Sequence, residues 1–220
     1  MDWQRARSDE KKNERKKDLY EAALLLFKQK GYSNVSLSGI AEEAGFSKSN
    51  VYRYYGSREE IFLSIFADLM QQWGKSSLRL LNTLEPGTTA KTFAENWVKA
   101  FTENRQLLDL KPLLFTSLEQ NSSYEQLLVF KTHAKGILNE LAADIERIFP
   151  EMSSAQVWEF LKFSHMTISG LWAAASYNDA MKQVYTREQF QELKPEFEKD
   201  AIYAIEVLIV GIKAKAALDE

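Results

Sequence analysis

Along nearly the whole chain apolar residues recur at every third and fourth position, and no stretch alternates in the manner of a strand. That period belongs to amphipathic helices, so the fold class is all-α. Glycine and proline are scarce, nine and four among 220 residues, which makes each one informative as a stop. A first helix runs from about Asp9 to Lys30, with Leu19, Ala23, Leu26 and Phe27 on one face, and ends at Gly31, a residue free to take the left-handed position after a helix. The elements then shorten. Ser36 caps a helix Leu37–Ala44 ending at Gly45, and Ser47 caps another, Lys48–Tyr55, ending at Gly56. Ser57 with Glu60 makes a capping box that opens a long helix through Ile61, Ile65 and Leu69 to about Leu81.

Leu84–Thr88, containing Pro86 and Gly87, breaks the pattern, which then resumes on a larger scale. Thr88–Glu103 and Arg105–Leu118 read as two helices, and Pro112 predicts a kink or break in the second. Ser123 with Gln126 opens a helix that Pro150 closes. Ser153 with Gln156 opens one to about Tyr177, and Thr186 with Gln189 one to about Lys215. The expectation is about nine helices: an N-terminal three-helix domain over residues 1–60, preceded by a basic arm, and a larger helical domain over residues 61–220.

Composition narrows what such a bundle does. With 45% hydrophobic and 27% charged residues the chain can bury a core. It has no cysteine and only His133 and His165, so thiolate metal centres are excluded and neither a metal nor a cofactor is expected. No apolar run is long enough for a membrane span, and the charged N-terminus is not a signal peptide, so the expected location is the cytoplasm. The net charge of −3 hides an asymmetry: residues 1–60 hold 12 basic side chains against 10 acidic, residues 61–220 hold 16 against 21. Arg5, Arg7, Lys11, Lys12, Arg15, Lys16 and Lys17 crowd into one short arm able to neutralise phosphates or simply to stay solvated.

The two short helices joined by Ala44-Gly45-Phe46-Ser47 have the dimensions of a helix-turn-helix, whose second helix lies in the major groove. Ile40, Ala41, Val51 and Tyr55 face inward and set the angle between them. Lys48, Ser49, Asn50, Tyr52 and Arg53 remain outward, and no acidic residue occurs from Ser47 to Arg58 to repel a phosphate. The plainer alternative is a polar turn in a bundle.

Leu19 to Tyr32, Ile40 to Tyr55 and Ser57 to Phe62 together closely resemble the DNA-binding domain of the TetR (tetracycline-repressor-type) family of bacterial transcriptional regulators, over about fifty positions. The resemblance implies a homodimer on a palindromic double-stranded DNA operator, with a small-molecule effector bound in the second domain. It places Lys48, Ser49 and Tyr52 toward base edges and Ser36, Asn50, Arg53, Tyr54 and Arg58 toward phosphates. Ser38 stands where many members carry a long basic residue, so one contact there is missing or moved.

In the second domain an effector pocket would be lined by aromatic and apolar residues with a few polar groups. Trp97, Phe101, Phe115, Phe130, His133, Phe163, His165 and Met166 are the candidates, with core packing as the plainer reading. The last two helices carry surplus apolar surface, and Leu171, Trp172, Ala175, Ile205, Leu208, Ile209 and Ile212 are the expected dimer contacts. An enzyme is not expected, since no nucleophile with a base and no phosphate loop appears. The competing reading is a helical small-molecule-binding or interaction protein without specific DNA binding.

Overall fold

A computed structural model describes the backbone of residues 2–216 and the side chains of residues 13–215. Ten α-helices follow one another: α1 (Asp2–Lys30), α2 (Leu37–Glu43), α3 (Lys48–Val51), α4 (Arg58–Leu81), α5 (Ala90–Thr102), α6 (Arg105–Leu113), α7 (Tyr124–Ile148), α8 (Ser154–Ala175), α9 (Asp179–Val184) and α10 (Phe197–Ala216). The described residues contain no strand, and no helix is long and apolar enough to cross a membrane.

Two compact units form, Met1–Ala67 with Leu113–Lys131, and Asp68–Pro112 with Thr132–Glu220. Each unit takes two stretches of the chain, where the sequence expectation is a single division at residue 60. In the first unit Leu19, Ala23, Ile40, Ala41, Val51, Ile61 and Phe62 are buried, and Phe62 meets Phe27 and Tyr32 edge-on at 5.9 and 5.1 Å. The later segment joins this core through buried Leu114 and Leu118 and through Phe130, 6.0 Å from Phe66.

The second unit is built on an aromatic ladder. Phe93, Trp97 and Phe101 fall four apart on α5, and all three are buried with Trp73 of α4 and Phe160 of α8. Gly74 lets α4 approach α7, since a β-carbon there would lie 2.5 Å from Ile137 Cγ2. Arg147 donates to the carbonyls of Leu84 and Leu81 at 2.7 and 2.9 Å, tying α7 to the end of α4 and the turn after it.

Several elements depart from their sequence expectations. The helix expected from Thr186 to Lys215 is cut. Thr186 caps nothing, donating instead to the Gln183 carbonyl, and a 3₁₀ segment Glu188–Leu193 ends where Lys194 turns extended ahead of Pro195. A proline disfavours helical geometry in the residue before it, and α10 starts only at Phe197. Pro112 ends regular α6 pairing, and the chain passes into a π turn, Leu114–Leu118. The box at Ser153 and Gln156 closes in both directions. Helical backbone begins at Asp2, so the basic stretch is the start of α1; Arg5, Arg7, Lys11 and Lys12 lie outside the described side chains.

Candidate nucleic-acid interface

The turn of the motif follows from one glycine. Gly45 sits at φ 72°, and beyond α2 its N–H donates to Glu42 O at 3.0 Å while that of Phe46 reaches back to Ala41 O at 2.7 Å. This paired closure satisfies the last carbonyls of α2 and requires a left-handed residue between them. Ser36 caps α2 as expected, accepting from Gly39 N at 3.0 Å. Ser47 does not cap α3; its hydroxyl bonds that of Ser49 at 3.0 Å. Regular α3 is shorter than expected, though Tyr54 and Tyr55 still donate to Val51 O and prolong the turn.

Ser36, Ser38, Lys48, Ser49, Tyr52 and Arg53 are exposed together. Tyr52 keeps 54% of its surface, and the Lys48 ammonium lies 5.9 Å over its ring, so the two side chains form one outward group. Asn50 and Tyr54 are half-buried. Tyr54 is engaged from behind: Arg15 donates to its hydroxyl at 3.4 Å and lies 5.8 Å over Phe46, while Lys16 lies over Tyr55. Two cations of the basic stretch thus pack against the motif itself.

Arg58 departs from its expected place toward a phosphate. Its guanidinium donates to Glu59 at 2.8 Å and to the carbonyls of Tyr32 and Val35, and stacks 4.5 Å over the Tyr32 ring. With its donors turned inward, it clamps the loop before α2. The adjoining concavity, about 470 Å³, is lined by Ser33 to Leu37, Tyr52 and Gly56 to Glu59.

At the start of α4 the expected Ser57 and Glu60 pair gains a partner sixty-three positions away, Ser123. Glu60 is buried, and its carboxylate accepts from the amides of Gly56 at 2.7 Å and Ser123 at 3.0 Å. Burial pushes this carboxyl up, but the hydrogen bonds from Ser123 and Gly56 outweigh it and leave it below its ordinary value. Ser57 accepts from Glu60 N and donates to Asn121 O, so the expected capping box is realised with Glu60 reaching one residue further back, to Gly56. Tyr32 bonds both Glu59 and Ser117.

Of the expected effector residues, Trp97, Phe101 and His165 come together in the second unit, within 6.4 Å between ring centroids. The others are elsewhere. Phe130 is core of the first unit and Phe115, in the same unit, is 40% exposed. His133 is exposed, and Phe163 and Met166 stand outward on α8. Three residues missed in the sequence complete the cluster: Trp73 stacks 4.7 Å from Phe101, Ser77 follows one turn later on α4, and Lys111 of α6 is buried with Nζ 2.6 Å from His165 Nδ1. Burial pushes the Lys111 ammonium down to about 7 and, with Lys111 alongside, holds His165 well below its ordinary value. A lysine in the leucine-rich stretch Leu107 to Leu114, where Asp109 is the other charge, was the available signal.

The expected dimer contacts divide by burial. Ile205, Ile209 and Ile212 are buried inside the protomer, where the α10 face they share packs on α5 and α8. Trp172 meets Phe197 edge-on at 4.8 Å beneath Arg105. Leu171, Ala175 and Leu208 are half-buried. What remains outward is a different stripe: Tyr203, Val207 and Val210 on α10, and Phe163, Met166, Gly170 and Ala173 on α8.

A short helix closed by a left-handed glycine, a tight turn and a second short helix presenting lysine, serine, tyrosine and arginine to solvent define a helix-turn-helix protein. Comparison with known proteins agrees. Residues 19–65 match the family described as bacterial regulatory proteins, tetR family, and residues 66–216 match the tetracyclin repressor-like C-terminal domain. The chain belongs to the tetR family. It is 33% identical over 109 residues to the HTH-type transcriptional regulator YuxN of Bacillus subtilis, covering 50% of this chain and 36% of YuxN. It is 27% identical over 146 residues to RutR of Escherichia coli K12, covering 64% and 59%. The chain therefore spans less than two thirds of the length of these relatives. Its fold is similar to that of Thermus thermophilus FadR, solved in complex with lauroyl-CoA, at TM-score 0.58, 14% identity, and 88% and 93% coverage.

Proposed function

We propose that the protein is a ligand-responsive transcriptional repressor, acting in the cytoplasm, that binds a palindromic operator as a homodimer and releases it when a small molecule occupies the second unit. The observation that carries this reading is the exposed group Lys48, Ser49, Tyr52 and Arg53 beside Ser36 and Ser38, in a stretch without an acid from Ser47 to Arg58. Lys48, Ser49 and Tyr52 read base edges, while Ser36, Asn50, Arg53 and Tyr54 hold phosphates, the first group setting sequence and the second register.

Dimerisation is supported by the outward stripe on α8 and α10, where Tyr203, Val207 and Val210 each keep half or more of their surface exposed. A contiguous apolar face rimmed by charge is the usual mark of a partner surface, and its small residues Gly170 and Ala173 allow close helix approach. Signal transfer is assigned to α4, which runs unbroken from Arg58 to Leu81 and contributes residues to both units. An effector acts only through its differential affinity for the operator-binding and non-binding conformations.

Selection of bound duplexes from a random pool tests the reading. The expected product is a two-fold symmetric site whose half-sites lie about 34–36 Å apart. Absence of any enriched sequence, with no salt-dependent shift of duplex DNA, contradicts it and favours a helical ligand-binding protein.

A further inference from the structure

Lys111 is 1% exposed, and among the described residues no carboxylate lies within ion-pair distance of it. Its one polar partner is His165 Nδ1, itself unable to neutralise a cation. When Lys111 donates as an ammonium, Nδ1 accepts, which places the ring proton on Nε2. Nε2 is buried and has no hydrogen-bond partner among the described residues. The other buried side-chain polar atoms without partners among the described residues are Trp73 Nε1, Ser77 Oγ and Trp97 Nε1. All four belong to this one cluster: the Trp73 ring is 5.5 Å from that of Trp97 and 5.0 Å from that of His165, and Ser77 follows Trp73 by one helical turn. Four helices therefore bring together one unpaired cation and four unspent groups, every one of them able to donate.

Leaving buried donors unmatched is costly, and a buried unpaired ammonium more so. Both deficits are met by the same thing, an anion with acceptor oxygens. The walls are aromatic, with Phe101 stacked on Trp73 and the ammonium 5.1 Å over the Phe101 ring, so the rest of the ligand must be apolar. One lysine matches one negative charge; a phosphate dianion leaves charge uncompensated, and a neutral molecule leaves the ammonium unpaired.

We propose that Lys111, Trp73, Trp97, Ser77 and His165 form the seat of a carboxylate group, and that the effector is a small apolar monocarboxylic acid. This deepens the ligand-responsive reading and rests on it. The carboxylate pairs with the Lys111 ammonium and accepts from the two indole N–H groups, and the apolar body lies against Phe101.

The test uses the full chain with acetate, benzoate, indole-3-acetate and octanoate as probes, benzamide and octanamide as neutral counterparts, and inorganic phosphate. Binding is followed by calorimetry and by the indole N–H resonances, with Trp73→Phe and Trp97→Phe assigning two of the five tryptophans. The expected result is saturable binding of at least one monocarboxylate, with movement of the Trp73 and Trp97 indole signals. The matching amide should bind roughly 30-fold more weakly or worse, and Lys111→Met should lose a similar factor while still folding. Failure of every carboxylate, equal binding of acid and amide, or unchanged binding to Lys111→Met overturns the proposal. Should Lys111→Met fail to fold, the acid and amide comparison on the unaltered chain decides. Carboxylate binding by a chain that selects no DNA supports the site and contradicts the regulator; operator release by neutral molecules alone overturns the site and leaves the regulator standing.

Discussion

The hydroxyl of Tyr32 lies 2.8 Å from that of Ser117, 85 positions along the chain, and donates onward to Glu59 at 3.2 Å, which makes Ser117 the donor of the shorter bond. Tyr32 follows the end of α1 at the entrance to the helix-turn-helix, and Ser117 sits in the π turn six residues after Lys111. The segment that carries the proposed effector lysine thus continues directly into a hydrogen bond on the DNA-binding motif. Ser117→Ala should cost about 0.5–1.5 kcal/mol of stability. It should leave operator affinity near that of the parent and reduce the change in that affinity caused by effector. Fluorescence anisotropy on a labelled operator, with and without effector, measures both quantities; an undiminished response would remove this bond from the coupling.

Substitutions at the interface should fall into separable classes. Lys48→Ala and Tyr52→Ala relax base preference by about 1–3 kcal/mol at the affected position, whereas Arg53→Ala weakens all sequences alike and lowers the salt slope by about 1. Arg58→Ala belongs to neither class. Its guanidinium is spent on Glu59 and two carbonyls, so its loss should appear first as a lower melting temperature. Binding titrations at several salt concentrations beside thermal melts distinguish the three behaviours.

On α10 neighbouring positions should fail in different ways. Val207→Glu and Val210→Glu place a charge on the exposed stripe and should yield folded monomers by sedimentation at micromolar concentration. Ile205→Glu, aimed into the protomer core, should unfold the chain, because an unpaired charge would be buried there. Folded dimers of Val207→Glu and Val210→Glu would place the partner surface elsewhere.

These contrasts show where the sequence was legible. Helix periodicity, the stops at Gly31 and Gly45, the cap at Ser36 and the box at Ser153 depend on residues a few positions apart, and each stands in the structure. The fate of Arg58 depended on carbonyls more than twenty positions away, and that of Ile205 on which face of an apolar helix turns inward, which a helix apolar on more than one face does not reveal. Charge in a sequence reads as exposure, and only the packing of α4, α5, α6 and α8 makes Lys111 a buried cation.

Lys111 also sets a pH dependence. Folding lowers its ammonium from the ordinary 10.5 to about 7 through burial, so between those values the unfolded chain holds more protons and stability rises with pH. The burden is fully present below about 7 and is relieved toward 10.5. Against it lie Phe101 from α5 and His165 from α8, with Trp73 and Trp97 packed on the His165 ring; His165 is the titratable group among them, and its lowered value adds a rise with pH that levels off above its ordinary 6.5. Lys111→Met should therefore unfold at higher denaturant concentration than the parent at pH 7, by roughly 1–4 kcal/mol, with the gap closing toward pH 10. A gap that does not change with pH would contradict the burial of this charge.

The central claim, that ligand and operator act on one another through the same protein, is tested by closing the thermodynamic cycle. With an operator obtained by selection and a ligand found by thermal-shift screening, the dissociation constant of the ligand is measured on the free protein and on the protein saturated with operator. The operator's own constant is measured with and without ligand. Linkage requires the two ratios to be equal, and the account predicts a factor of about 5–150 in each, with ligand and operator opposed. Ligand affinity that is the same with and without operator would contradict the account and leave the second unit without a sensing role.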